Sequence, residues 1–150
     1  MLFRSFSDGE IRRSTFRDTG NDAIDVSGSH VTVSSVLIER AGDKGLSAGE
    51  HADLVIRDVQ VDGGSIGVAS KDRSSVLVEG LLLSGVKIGL ALYEKKSEFG
   101  PASMEVRGAR FEGAETPYLL EEGSRLVMEG REVMPNATGV FDRLYGAENG

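Results

Sequence analysis

Apolar and polar residues alternate along most of the chain in short runs, and these runs recur at a fixed interval. Ile24, Leu46, Val68 and Leu90 occupy equivalent places in successive runs, each 22 residues after the one before. Strict alternation indicates β-strands, because successive side chains of a strand point to opposite faces. Each repeat holds three alternating stretches, separated by turns rich in Gly, Ser and Asp. The pattern therefore predicts a repeat protein made of short strands.

A single repeat of this kind cannot bury its apolar face, whereas stacked repeats can. Stacked strands would pair at a spacing of about 4.8 Å and place like residues on like residues. We therefore expect Ile24, Leu46, Val68 and Leu90 to form one interior file. The step to the fifth repeat is 28 residues, so six extra residues interrupt the period within "YEKKSEFGPAS" (93–103).

The predicted fold class is an all-β parallel β-helix with about five to six coils of about 22 residues. Residues 1–150 are expected to form a single domain, with coils over 5–133 and a C-terminal cap or tail over 134–150. Val140, Phe141, Leu144 and Tyr145 are expected to form a helical turn that caps the last coil. A left-handed hexapeptide helix would need an apolar residue every six positions, and a leucine-rich repeat would need a Leu and Asn consensus. The sequence has neither pattern.

The 22-residue coil, the "G-L/V-A" strands and the turn "DTGNDAIDVSGS" resemble the right-handed parallel β-helix repeat family of the pectate-lyase-like superfamily. The likeness covers about residues 5–133. The segments "GDKGLSAGE" (42–50) and "IGLALYEKKSEFG" (88–100) are most similar to coils of bacterial secreted and surface proteins. The resemblance implies a right-handed coil and a face that binds elongated sugars. It also implies an extracellular or cell-surface location, as part of a longer exported protein.

Composition narrows the range of partners. A net charge of −7 argues against a nucleic-acid partner, because phosphate binding needs clustered Lys and Arg. The chain has no cysteine, which excludes disulfides, thiolate nucleophiles and zinc-thiolate sites. No apolar stretch is long enough to cross a membrane, and the first residues lack a signal-peptide core. We expect neither nucleic-acid binding nor membrane insertion.

Two groups of residues are candidates for ligand binding. The outward positions of the first strand of each coil should form a shallow groove along the rod, and the insertion should form a loop on a rigid scaffold, where binding residues concentrate. Tyr93 and Phe99 could stack on a sugar ring, and the charged residues could form polar contacts. The candidates are Asp25, Ser47, Lys71, Asp72, Tyr93, Glu94, Lys95, Lys96 and Phe99.

Calcium is a cofactor for which the sequence offers candidate ligands. Asp22, Asp25 and Asp43 lie near one turn of adjacent coils and could supply three oxygens, although calcium takes six to eight. Lys44, beside them, could act as a base or could neutralise the carboxylates. We otherwise expect no cofactor and assign no catalytic residue.

The sequence favours a non-catalytic or accessory β-helix module that binds a polysaccharide or acts as a spacer between neighbouring domains. Two alternatives stay open. The chain could be a fragment of a polysaccharide lyase, epimerase or hydrolase, which a calcium-centred carboxylate cluster would favour. It could instead be a structural rod that associates end to end, which open apolar coil ends would favour.

Overall fold

The structure, a computed structural model, describes residues 1–3 and 7–146 and is built almost wholly of strands. Residues 4–6, which include the expected start of the coils at residue 5, lie outside the described residues. Residues 147–150, the end of the expected C-terminal tail, also lie outside them. The strands are β1 (Leu2–Phe3), β2 (Asp8–Arg17), β3 (Ile24–Ser27), β4 (His30–Glu39), β5 (Lys44–Gly49), β6 (Asp53–Lys71), β7 (Ser75–Tyr93), β8 (Ser103–Glu112), β9 (Thr116–Leu120), β10 (Arg125–Met128) and β11 (Arg131–Val133).

Parallel pairing between successive coils confirms the predicted solenoid. Ile24 pairs with Leu46, Leu46 with Val68, and Val68 with Leu90. All four side chains have no exposed surface. These residues form the interior file that the repeat predicts. The aliphatic side chains of the other two faces stack in the same way and complete one continuous core.

The register also confirms the position of the insertion. Val76 pairs with Met104, 28 residues further on, and Ile88 pairs with Thr116, again 28 residues further on. On the next coil the spacing returns to 22, because Met104 pairs with Leu126. The extra residues therefore leave the stack as a loop and do not shift the strands that follow.

The strands are longer than the three short strands per coil that the sequence predicts. β6 and β7 each run for 19 residues around the rod without a break. Each coil has three faces, which its three alternating stretches form in chain order; in one coil these are residues 24–27, 30–34 and 36–39. Between the second face and the third, a residue with positive φ bends each coil, as at Ser35 (54°), Asp58 (51°) and Gly80 (90°). Because a single residue makes this corner, the strand continues through it. The alternation of apolar residues shifts at the corner, so the sequence alone predicts two short strands there.

The repeated glycine of "IGVA" and "IGLA" follows from the close approach of successive coils. A Cβ at Gly67 would lie 2.7 Å from the carbonyl oxygen of Gly89 and 2.6 Å from Leu83 Cδ2. A Cβ at Gly45 would meet the carbonyl oxygen of Gly67 at 2.8 Å. Real Cβ atoms do not approach neighbours this closely, so any side chain would push the coils apart.

The C-terminal segment both closes an edge and lies along the side of the rod. β11 folds back antiparallel on β10, and Asn136 makes hydrogen bonds to Leu120 and Tyr118 at the edge of β9. The helical turn predicted for this region is present as a short π-helical turn, Asp142–Gly146. It packs against outward-facing residues of earlier coils, and not over the last coil alone. In the described residues, no helix is apolar and long enough to cross a membrane.

Candidate functional site

The outward side of the first strands, which we call the outer face, is formed by β3, β5, the ends of β6 and β7, and β9. Asp25 pairs with Ser47, Ser47 with Ala69, and Ala69 with Ala91. Ala91 pairs in turn with Leu119. The column expected from the sequence therefore exists, and it changes along the rod from polar residues to apolar ones.

Residues 140–146, which we call the strap, cover the apolar part of this face. Val140 is fully buried in a cluster with Ala69, Ala91 and Leu119. The Val140 N–H donates to Glu121 Oε2 at 2.8 Å, and the other oxygen of the same carboxylate accepts from the Glu94 N–H at 3.1 Å. Glu121 thus fixes the start of the strap next to the inserted loop.

Tyr93 is not the accessible stacking surface that the sequence suggested. Its side chain is only 1% exposed, because the strap packs over it. Burial, together with nearby Tyr145, raises the pKa of its phenol above the ordinary value. A sugar cannot reach this ring while the strap is in place.

The turn that contains the candidate calcium ligands also holds the ammonium group of Lys44. Lys44 is 6% exposed, and its Nζ lies 2.8 Å from Asp43 Oδ2 and 3.7 Å from Asp22 Oδ1. Burial alone would lower the pKa of Lys44, but hydrogen bonds to Asp43 and Tyr145 raise it overall. Burial raises the pKa of Asp22. Among the described residues, no group of three or more His, Asp or Glu side chains could hold a metal ion.

Two polar groups of the outer face lack the partners that Lys44 has. Lys71 is half-buried and has no ion pair within 4.0 Å among the described residues; its side chain lies over Gly49, where a Cβ would be 3.8 Å from Nζ. Burial, and then the charge of Lys44, lower the pKa of Lys71. Ser47 is fully buried, and its hydroxyl has no hydrogen-bond partner in the described chain. Asp25, beside Ser47, is half-buried.

The insertion is an ordered loop held against earlier coils. Asp72 is 2% exposed, and its Oδ1 accepts from the N–H groups of both Lys95 and Lys96 at 2.7 Å. The ammonium of Lys96 pairs with Glu50 one coil further away. Asp72, which the sequence offers as a candidate for ligand binding, anchors the loop in the structure.

The remaining candidates of the insertion lie at its surface or against the strap. Lys95 is exposed and its Nζ lies 5.9 Å from the centre of the Phe141 ring of the strap. Glu94 and Phe99 are half-buried. The structure therefore brings Glu94 and Lys95 next to the strap.

A groove that the sequence did not reveal runs along the corner between the second and third faces. This corner groove has a volume of about 490 Å³ and crosses five successive coils, at residues 13–15, 35–37, 58–60, 80–82 and 108–110. Its floor is the positive-φ column, and one wall carries Leu37, Gln60, Leu82 and Arg110 in register. The alternating pattern predicts that these four side chains point outward. Their alignment along the groove depends on the positive-φ backbone of the corner, which the pattern does not predict.

Comparison with known proteins gives no assignment: no family model, no curated protein and no solved structure matches the chain. The fold and the surface geometry therefore carry the functional interpretation.

Proposed function

We propose that the chain is a non-catalytic β-solenoid module that binds an extended polysaccharide along the corner groove. The observation that carries this proposal is the length of the groove, which repeats the same positions over five coils. The coil spacing of about 4.8 Å is comparable to the length of one sugar unit in a stretched chain. Successive sugars would therefore meet equivalent wall positions on successive coils.

The wall chemistry suits a polymer that has both apolar faces and hydroxyl groups. Leu37 and Leu82 are half-buried and present aliphatic surface on either side of the exposed amide of Gln60. Asp58 and Arg110 are exposed and offer an acceptor and donors for hydroxyl groups. Ligand sites typically combine apolar lining with a few polar groups in this way.

The contacts of Tyr93 and Lys44 support the proposal that the module is non-catalytic. Tyr93, a side chain of the outer face that could act as a base, is buried under the strap. The ammonium of Lys44 already pairs with Asp43 and Asp22, two of the three carboxylates considered as calcium ligands. We propose an extracellular or cell-surface setting on the sequence resemblance alone.

Binding of soluble oligosaccharides of increasing length, measured by calorimetry over a glycan panel, tests the proposal. We expect affinity to rise with chain length up to about five sugars, one for each coil of the groove. Gln60→Ala and Leu82→Ala should each weaken binding several-fold. The matched controls Val55→Ala and Leu77→Ala alter half-buried outward positions of the second face and should leave binding unchanged.

Equal losses in the groove variants and the controls would contradict the proposal. A requirement for calcium would contradict it as well and would favour the lyase-like alternative. If no saccharide binds, the spacer function is the better account, since the uninterrupted core provides rigidity without any ligand.

A further inference from the structure

The strap forms a packing unit that is separate from the core of the rod. Its cluster joins Val140 to Ala69, Ala91 and Leu119 on the outside of the sheet, whereas the main core lies inside the coils. Removing the strap would expose this outer cluster without opening the interior files. The strap can therefore leave by local unfolding, which costs less than unfolding of the whole rod.

The outer face and the strap make specific polar contacts in addition to the apolar ones. Lys44 Nζ lies 5.0 Å from the centre of the Tyr145 ring, and the Tyr145 hydroxyl donates to Asp43 Oδ2 at 2.9 Å. At the other end, the carboxylate of Glu121 accepts from the Val140 N–H. The face thus recognises an aliphatic residue followed, five positions later, by a phenol.

The connection between the rod and the strap can act as a hinge. Thr138 and Gly139 are exposed, and Gly139 has a φ of 59°, which glycine adopts at no steric cost. Asn136, just before them, is tied to the edge of β9. A change of backbone angles at Thr138 and Gly139 would redirect the strap while the coils stay intact.

We propose that the outer face is a docking surface for the strap of a second copy of this chain, so that two copies exchange straps. The contacts made in the dimer are the same as those made within one chain, which is the energetic basis of domain swapping. The intramolecular arrangement gains from a high effective concentration, so exchange should become visible as the protein concentration rises. This association uses the side of the rod, unlike the end-to-end association considered from the sequence.

Two full-length variants with complementary defects test this proposal. Val140→Asp disables the strap but keeps the face, and Leu119→Asp disables the face but keeps the strap. Each variant alone should be monomeric in sedimentation or native mass spectrometry. An equimolar mixture should give a 1:1 heterodimer, because one copy contributes the strap and the other the face.

A labelled peptide of residues 137–146 provides a second measurement. It should bind the full-length Val140→Asp chain saturably and should bind the Leu119→Asp chain at least ten-fold more weakly. The wild type should pass from monomer to dimer between micromolar and millimolar concentrations. Far-UV circular dichroism of both variants establishes that the coils are folded.

A mixture of folded variants that stays monomeric would overturn the proposal, as would a dimer that Val140→Asp does not disturb. If a variant fails to fold, the wild type decides: a wild type that remains monomeric after refolding at millimolar concentration also overturns it.

Discussion

The two lysines of the outer face differ in how their charges are balanced. Lys44 lies between Asp43 and Asp22. These carboxylates stabilise its charged form, in agreement with its raised pKa. Lys71 is half-buried without such a partner among the described residues, and burial and the charge of Lys44 lower its pKa. Two lysines of the same face therefore affect stability in opposite directions.

Replacing Lys71 by methionine should raise the free energy of unfolding at pH 7. The folded state releases the Lys71 proton at a lower pH than the unfolded state, so the charged form opposes folding below that pKa. Methionine keeps the aliphatic stem over Gly49 and removes the charge. The gain should be largest near neutral pH and should shrink as the pH rises through the lowered pKa towards about 10.4, the usual value for lysine.

Urea-induced unfolding at several pH values measures this effect. Lys87→Met, at an exposed position, is the control and should change the stability by less than about 0.5 kcal/mol at every pH. A Lys71→Met protein that loses stability at pH 7 would show that the ammonium is paired after all.

The burial of Tyr93 is a property of a single residue that the sequence did not predict. Its column position follows from the repeat, and its pairing with Lys71 agrees with that prediction. Its burial depends on Val140 and Tyr145, far along the chain and outside the repeat. Periodicity cannot predict contacts made by a segment that does not share the period.

At the scale of the elements, the spacing of the coils depends on small residues at the start of the first strand. Gly45, Gly67 and Gly89 lie on successive coils, and each leaves space for the backbone of the next coil. Corner residues with positive φ let strands continue between the second and third faces. The sequence predicts the three faces and their spacing, but not the continuous strands or the corner groove.

Gly67→Ala should destabilise the fold by about 1–3 kcal/mol, the usual cost of overpacking a well-packed interior. The added methyl would collide with the Gly89 carbonyl oxygen and Leu83. Gly20→Ala is the matched control, because a Cβ there has no neighbour within 4 Å. The midpoint of urea unfolding at constant slope measures both changes. Equal effects of the two substitutions would contradict the close approach of the coils.

At the scale of the whole molecule, two kinds of contact have different origins. Contacts between coils join residues about 22 apart and follow from the repeat, so the solenoid was predictable. The strap joins residues as far apart as Tyr145 and Asp43, separated by 102 positions, and its path was not predictable. The sequence correctly predicted a helical turn in this segment. The turn lies along the side of the rod, however, and does not cap the last coil alone.

The stacking of coils in register, including across the insertion, is tested most directly by engineered disulfides. The chain has no cysteine of its own, so each pair can be introduced without interference. Leu77 and Glu105 are 28 residues apart and are neighbours on adjacent coils, both half-buried and facing outward. Val55 and Glu105 lie two coils apart, at roughly 10 Å, which is beyond the reach of a disulfide.

Mild oxidation followed by peptide mapping should therefore find a cross-link in the Leu77→Cys/Glu105→Cys protein and none within the Val55→Cys/Glu105→Cys chain. A cross-link in the second protein and none in the first would contradict the stacked solenoid.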